Sequence, residues 1–165
     1  MAKGNIRIFQ SPYGSHPTWR WQTEAAATDI KAGEPVKLKS AGSPYVIPLA
    51  DADLTLGTDV PFIGVASSDS THTASADGKI DVYIPLPGTI YEARVKTAST
   101  ADTQSEIDAL CGDRVVFDLT SSVYTVDAAA GDAVGNALLV IGGDPLQTTL
   151  RFTIGLFPAN AVAGA

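Results

Sequence analysis

Cysteine is nearly missing from this chain. Cys111 is the only one among 165 residues, which excludes an internal disulfide framework. Histidine is scarce as well: His16 and His72 both sit in turn-rich polar stretches, so a zinc pair would have to be assembled by distant loops, and no metal or other cofactor is expected. Charged residues make up only 18% against 45% hydrophobic residues, the opposite of the charge-rich, apolar-poor composition of disorder. Long apolar runs are also absent. With a mean hydropathy of +0.12, no stretch approaches the roughly 20 residues that span a bilayer, so no membrane partner is expected. The first ten residues contain Lys3 and Arg7 but no continuous apolar core of a secretory leader, which predicts synthesis in a cytoplasm.

What is present suffices for one domain with an appendage. A chain of this length buries on the order of 70% of its unfolded surface, enough for a core without staples. Its net charge of −7 is unevenly spread. Residues 1–39 carry six basic and three acidic side chains, whereas residues 40–165 carry five basic and fifteen acidic ones. An acidic body repels phosphate backbones, so nucleic acid is not an expected partner.

From Ala26 onward, short apolar runs alternate with Gly, Pro, Asp and Ser. The runs predict strands at Pro35–Lys39, Tyr45–Leu49, Phe62–Ser67, Ile80–Leu86, Thr89–Lys96, Arg114–Leu119, Val123–Asp127, Asn136–Ile141 and Thr149–Leu156. Nine such strands suggest an all-β sandwich or barrel. Ile80, Val82 and Ile84 alternate with Asp81 and Tyr83, the text of a strand with one buried face. Pro85-Leu86-Pro87-Gly88 then predicts a hairpin bend between two strands. One short helix is expected over Thr103–Leu110: Thr103 and Glu106 have capping-box spacing, and Gly112 follows as terminator. Ala128–Val134 is rich in alanine, but Gly131 and Gly135 argue for a loop.

No catalytic constellation emerges, and no enzyme is expected. Cys111 lies in an apolar context with no histidine beside it, which reads as a small buried hydrophobe. Asp69 and His72 stand among hydroxyls, but there is no Gly-x-Ser-x-Gly elbow, and a surface loop is the simpler reading. Asp51, Asp53 and Asp59 fail the calcium-loop pattern, because Leu56 and Phe62 occupy the positions that need glycine and glutamate. The glycine-rich segments 131–135 and 142–144 lack a phosphate-loop ending.

Residues 1–25 read as an extended arm, residues 26–158 as the β domain and residues 159–165 as a flexible tail. A strand over Asn5–Gln10, two prolines and both tryptophans of the chain fall in the arm. Tryptophan, tyrosine and arginine are the types enriched at binding hot spots. Ile6, Arg7, Ile8 and Phe9 could add to the exposed sheet edge of a neighbour. Trp19, Arg20 and Trp21 would complete the partner-binding set, with the tryptophans as apolar anchors. The alternative is that both tryptophans close one end of the chain's own domain.

Ile30-Lys31-Ala32-Gly33-Glu34-Pro35-Val36-Lys37-Leu38, then Tyr45–Leu49, Phe62-Ile63-Gly64-Val65-Ala66 and the strands around Pro85–Gly88 together resemble head-decoration, or capsid cement, proteins of tailed bacteriophages. The resemblance covers about residues 30–97 and more loosely reaches Leu156. It implies a small β-barrel or β-tulip-like domain that trimerises on the outer surface of a virion, with the major capsid protein as partner and an N-terminal arm reaching across capsid subunits. The tryptophan-bearing arm departs from that pattern. A decoration protein would stabilise the lattice by binding only its assembled form, with avidity from three linked copies. Under this reading, deletion of residues 2–22 should abolish capsid binding and leave the domain folded. Two rivals remain: a tail-tube or head-completion subunit, and a carbohydrate-binding β-sandwich using Trp19, Trp21 or Tyr83 as sugar platforms.

Overall fold

The computed structural model describes residues 6–54, 56, 61–130 and 136–155. In chain order it contains β1 (Arg7–Gln10), β2 (Thr18–Thr23), β3 (Pro35–Leu38), β4 (Val46–Pro48), β5 (Phe62–Ala66), β6 (Gly78–Tyr83), β7 (Ile90–Arg94), α1 (Gln104–Leu110), β8 (Arg114–Thr120), β9 (Val123–Asp127), β10 (Leu138–Asp144) and β11 (Thr149–Ile154). The nine strands expected from alternation are all present, with ends displaced by a few residues. The chain is mostly β, with one short helix.

The strands form two antiparallel sheets. The first has six strands in the order β1-β7-β11-β10-β8-β9, and the second has five in the order β2-β6-β5-β3-β4. Neither closes through a continuous ladder, so the single barrel suggested by the strand count is replaced by two open sheets. Both curl. An isolated bridge, Gln22 to Tyr45, brings the ends of the second sheet together, and another, Val95 to Val126, links the end of β7, the neighbour of edge strand β1, to edge strand β9 in the first.

Two buried clusters form, the larger one centred on the first sheet but also taking Phe62 and Val65 from β5 of the second. Tyr91, Phe117 and Phe152 are fully buried in the larger one, with the Tyr91 and Phe152 rings stacked at 6.2 Å and Phe117 edge-on to Phe152 at 6.1 Å. Burial pushes the Tyr91 phenol above its ordinary pKa, so at neutral pH its hydroxyl is a donor, to Ile84 O at 3.4 Å. The smaller core gathers Ile30, Val36, Val46, Ala66, Ile80 and Val82. The alternation along Ile80 and Val82 therefore points inward as expected.

The stretch expected as an arm lies along the body. β1 pairs with β7 in the first sheet, and β2, a strand the alternation did not single out, pairs with β6 in the second. The residues between them pass from one sheet to the other. The tail expected over 159–165 lies outside the described residues.

Pro85–Gly88 does not close a hairpin. β6 belongs to the second sheet and β7 to the first, so this turn is a second crossing between sheets. Proline and glycine punctuate both kinds of connection equally well, because each needs chain reversal without ladder donors. The two crossings touch: Tyr13 Oη donates to Pro87 O at 2.9 Å, and His16 Nε2 lies 2.7 Å from Ile84 O.

Thr103 caps α1 as expected. Its side chain accepts from the Glu106 N–H at 3.3 Å while the Glu106 carboxylate accepts from the Thr103 N–H at 3.0 Å. Replacing an N-cap threonine by alanine costs about 1 kcal/mol, so Thr103→Ala should lower the thermal midpoint by a few degrees in calorimetry. Cys111 corrects the sequence reading: it is exposed, because α1 buries only Ile107 and Cys111 follows past the last turn. His72 also departs from it. Its side chain is only 3% exposed, and its Nε2 lies 2.8 Å from Ala27 O. Gly78 allows this, since a Cβ there would lie 2.0 Å from His72 N. In the expected loop over Ala128–Val134, Ala128–Ala130 form a 3-10 turn, while 131–134 lie outside the described residues.

Candidate binding surface

The N-terminal candidates divide into groups that hold β1 and β2 in place and groups that face outward. Ile6 is buried in the larger core and Ile8 packs partly against it. These two fasten β1 to its own sheet.

Arg7 is bound to Glu92, which lies directly across the ladder. The carboxylate side chain is only 3% exposed. Arg7 Nε donates to Glu92 Oε1 at 3.0 Å, and Arg151 Nε donates to the other oxygen, Oε2, at 3.0 Å. Three adjacent strands, β1, β7 and β11, thus share one charge row in which both carboxylate oxygens are satisfied. A buried carboxylate requires such pairing.

A bulge between Ile8 and Gln10 leaves Phe9 without a partner across the ladder, and bulges re-aim side chains. The Phe9 ring, 46% exposed, lies under the Arg151 guanidinium at 3.9 Å. This cation–π contact keeps an exposed aromatic in a fixed orientation.

On β2, Trp19 stands opposite Val82 and Trp21 opposite Ile80. Both tryptophans therefore lie on the inward face, since directly opposed residues share a face. Trp21 packs against the smaller core, whereas Trp19, two residues nearer the strand's start, is 61% exposed. Of the two tryptophans, only Trp19 is left exposed. Arg20 is turned to the other face, where its Nε and Nη2 donate to the two Asp81 oxygens at 2.8 and 3.1 Å. That hydrogen-bonded pair holds the Asp81 carboxyl below the usual carboxylate range and raises Arg20 in return.

Five large apolar side chains are exposed among the described residues, and Phe9, Tyr13 and Trp19 are three of them. All three come from the N-terminal stretch. Sequence reasoning found Phe9 and Trp19 but left Tyr13 out of the set, although its spacing between two turn prolines marks it as a crossing residue. Glu92 and Arg151 were missed entirely. Their only trace in the text is that charges interrupt apolar runs, at Glu92 between Tyr91 and Ala93 and at Arg151 between Leu150 and Phe152.

Trp19, Trp21 and Tyr83 do not assemble into one sugar platform. Tyr83 pairs with Thr18 and so faces opposite to Trp19, and Trp21 is packed inside. Among the described residues, no group of three His, Cys, Asp or Glu side chains stands close enough to hold a metal ion; Asp59 lies outside them. No helix there is long and apolar enough to cross a membrane. Compared with known proteins, the chain matches no family model and no curated protein.

Proposed function

We propose that this protein is a non-enzymatic structural component of a phage virion that binds the outer capsid surface and stabilises the lattice, as a homotrimer whose partner is the major capsid protein. The observation that carries the reading is that three aromatics of the N-terminal stretch, Phe9, Tyr13 and Trp19, are exposed although the stretch is itself bonded into both sheets. Exposed aromatics on fixed backbone suit adhesion, because little conformational freedom is lost when they are covered. The curl of each sheet, with Gln22 bridged to Tyr45 in one and Val95 to Val126 in the other, fits the β-tulip-like body that the family resemblance implies. An acidic chain is suited to the outside of a particle, away from packaged nucleic acid.

The test is co-sedimentation of the purified protein with expanded capsids. Aromatic hot-spot truncations cost about 2 kcal/mol or more each, so Phe9→Ala combined with Trp19→Ala should weaken binding by well over tenfold while leaving the thermal midpoint nearly unchanged. Unaltered binding by that variant would remove the N-terminal surface from the interface. Mass measurement on a sizing column addresses the oligomer: a trimer supports the cement reading, and hexameric or larger rings would favour a tail-tube subunit.

A further inference from the structure

Between the two sheets lies a cleft of about 560 Å³, within the range of about 300–1,000 Å³ typical of ligand sites. One wall is Ala32, Gly33, Ala66 and Ser67; the other is the outer side of β1 and β7. We propose that this cleft binds an extended peptide segment of another protein through an acidic side chain.

Charge carries the first half of the argument. Arg7 and Arg94 line the cleft together with Glu92, but both oxygens of that carboxylate are already held by Arg7 and Arg151. Arg94 has no ion-pair partner among the described residues. It is exposed, and it stands opposite Thr149 in the ladder. A net cationic cleft in a chain of net charge −7 selects against most of this protein's own surface and for a carboxylate on a partner. Thr149 also lines the cleft, and its buried hydroxyl has no hydrogen-bond partner among the described residues. Unmet buried polar groups in native proteins call for an explanation, of which ligand or water contact is one.

Backbone geometry carries the second half. β1 is an edge strand. The Ile6 N–H turns away from β7 and donates to Gly33 O at 3.3 Å. Main-chain groups alternate in direction along a strand, so those of Ile8 turn the same way, towards the cleft that Ile8 lines. An entering extended chain would find a main-chain donor and acceptor there, and a cation at Arg94. That combination recognises a strand with alternating side chains rather than a free anion.

The experiment titrates the full-length, ¹⁵N-labelled protein with an acetylated, amidated heptapeptide of alternating valine and glutamate. Saturable shifts of the Ile8, Gly33, Arg94 and Thr149 amide signals are expected. The valine–lysine analogue should bind at least tenfold more weakly, and Arg94→Glu should weaken the glutamate peptide at least tenfold while retaining a dispersed spectrum. Arg94→Gln should fall between. The proposal is overturned if those signals do not move, if the lysine peptide binds equally well, or if sodium acetate at the same carboxylate concentration reproduces the shifts. Capsids take no part in this measurement, so its failure and the failure of the lattice-binding reading are separable.

Discussion

A chain lacking residues 2–22 is expected not to fold. Its removal would strip the larger core of Ile6 and Ile8 and the smaller one of Trp21, and would leave β7 and β6 without their outer partners. Burying a large apolar side chain is worth about 1.5–3 kcal/mol, so the loss amounts to about 5 kcal/mol before the ladders are counted. Small domains are stable by about 5–15 kcal/mol in total. Circular dichroism should show no cooperative melt for the truncated chain. A transition matching that of the intact protein would mean that β1 and β2 are dispensable additions. The sequence alone suggested that this deletion would cleanly separate binding from folding; the strand pairings make it a folding mutation. Point substitution of Phe9 and Trp19 is therefore the proper probe of adhesion.

The second large effect concerns Glu92. Arg7→Ala together with Arg151→Ala would leave a carboxylate that is 3% exposed without either guanidinium, and stranding a buried charge costs about 3–5 kcal/mol. Urea unfolding at neutral pH should register a loss of that size. Arg7→Ala alone should cost much less, since that side chain is 72% exposed and Arg151 stays in place. Adding Glu92→Leu to the double variant should recover at least half of the deficit, because the cost lies in the stranded charge rather than in the absent arginines. A double variant within 1 kcal/mol of the parent, judged against the scale for surface pairs, would show that water reaches Glu92 freely.

Local text predicted local structure well. The capping box at Thr103 and Glu106, the alternation at Ile80 and Val82, and the turn residues between runs are each written within a few positions of one another. Partnership between strands is not. Alternation states which face of β7 is buried, but nothing near Tyr91–Ala93 announces that Arg7 lies across from Glu92. Pro85–Gly88 marks a reversal without stating whether the chain returns to the same sheet. The tryptophans illustrate the same limit: Trp19 and Trp21 flank Arg20 and share a face, and their different exposure follows from where the second core ends. The mostly-β character and the exposure of Phe9 and Trp19 were thus legible, whereas the division into two open sheets and the cleft between them required the long-range pairings.

The placement of β1 and β2 at the rims has a consequence for biosynthesis. These segments leave the ribosome well before their neighbours at positions 78–83 and 90–94, which follow about 55 to 85 residues later. At about 5–20 residues per second, Ile6, Ile8 and the two indoles must wait several seconds, without a seat, while exposed to every other nascent chain. Slow, non-local closure of this kind is the expected behaviour of β topologies. The stretch proposed to bind a partner is thus also one that spends its first seconds without the strands that seat it.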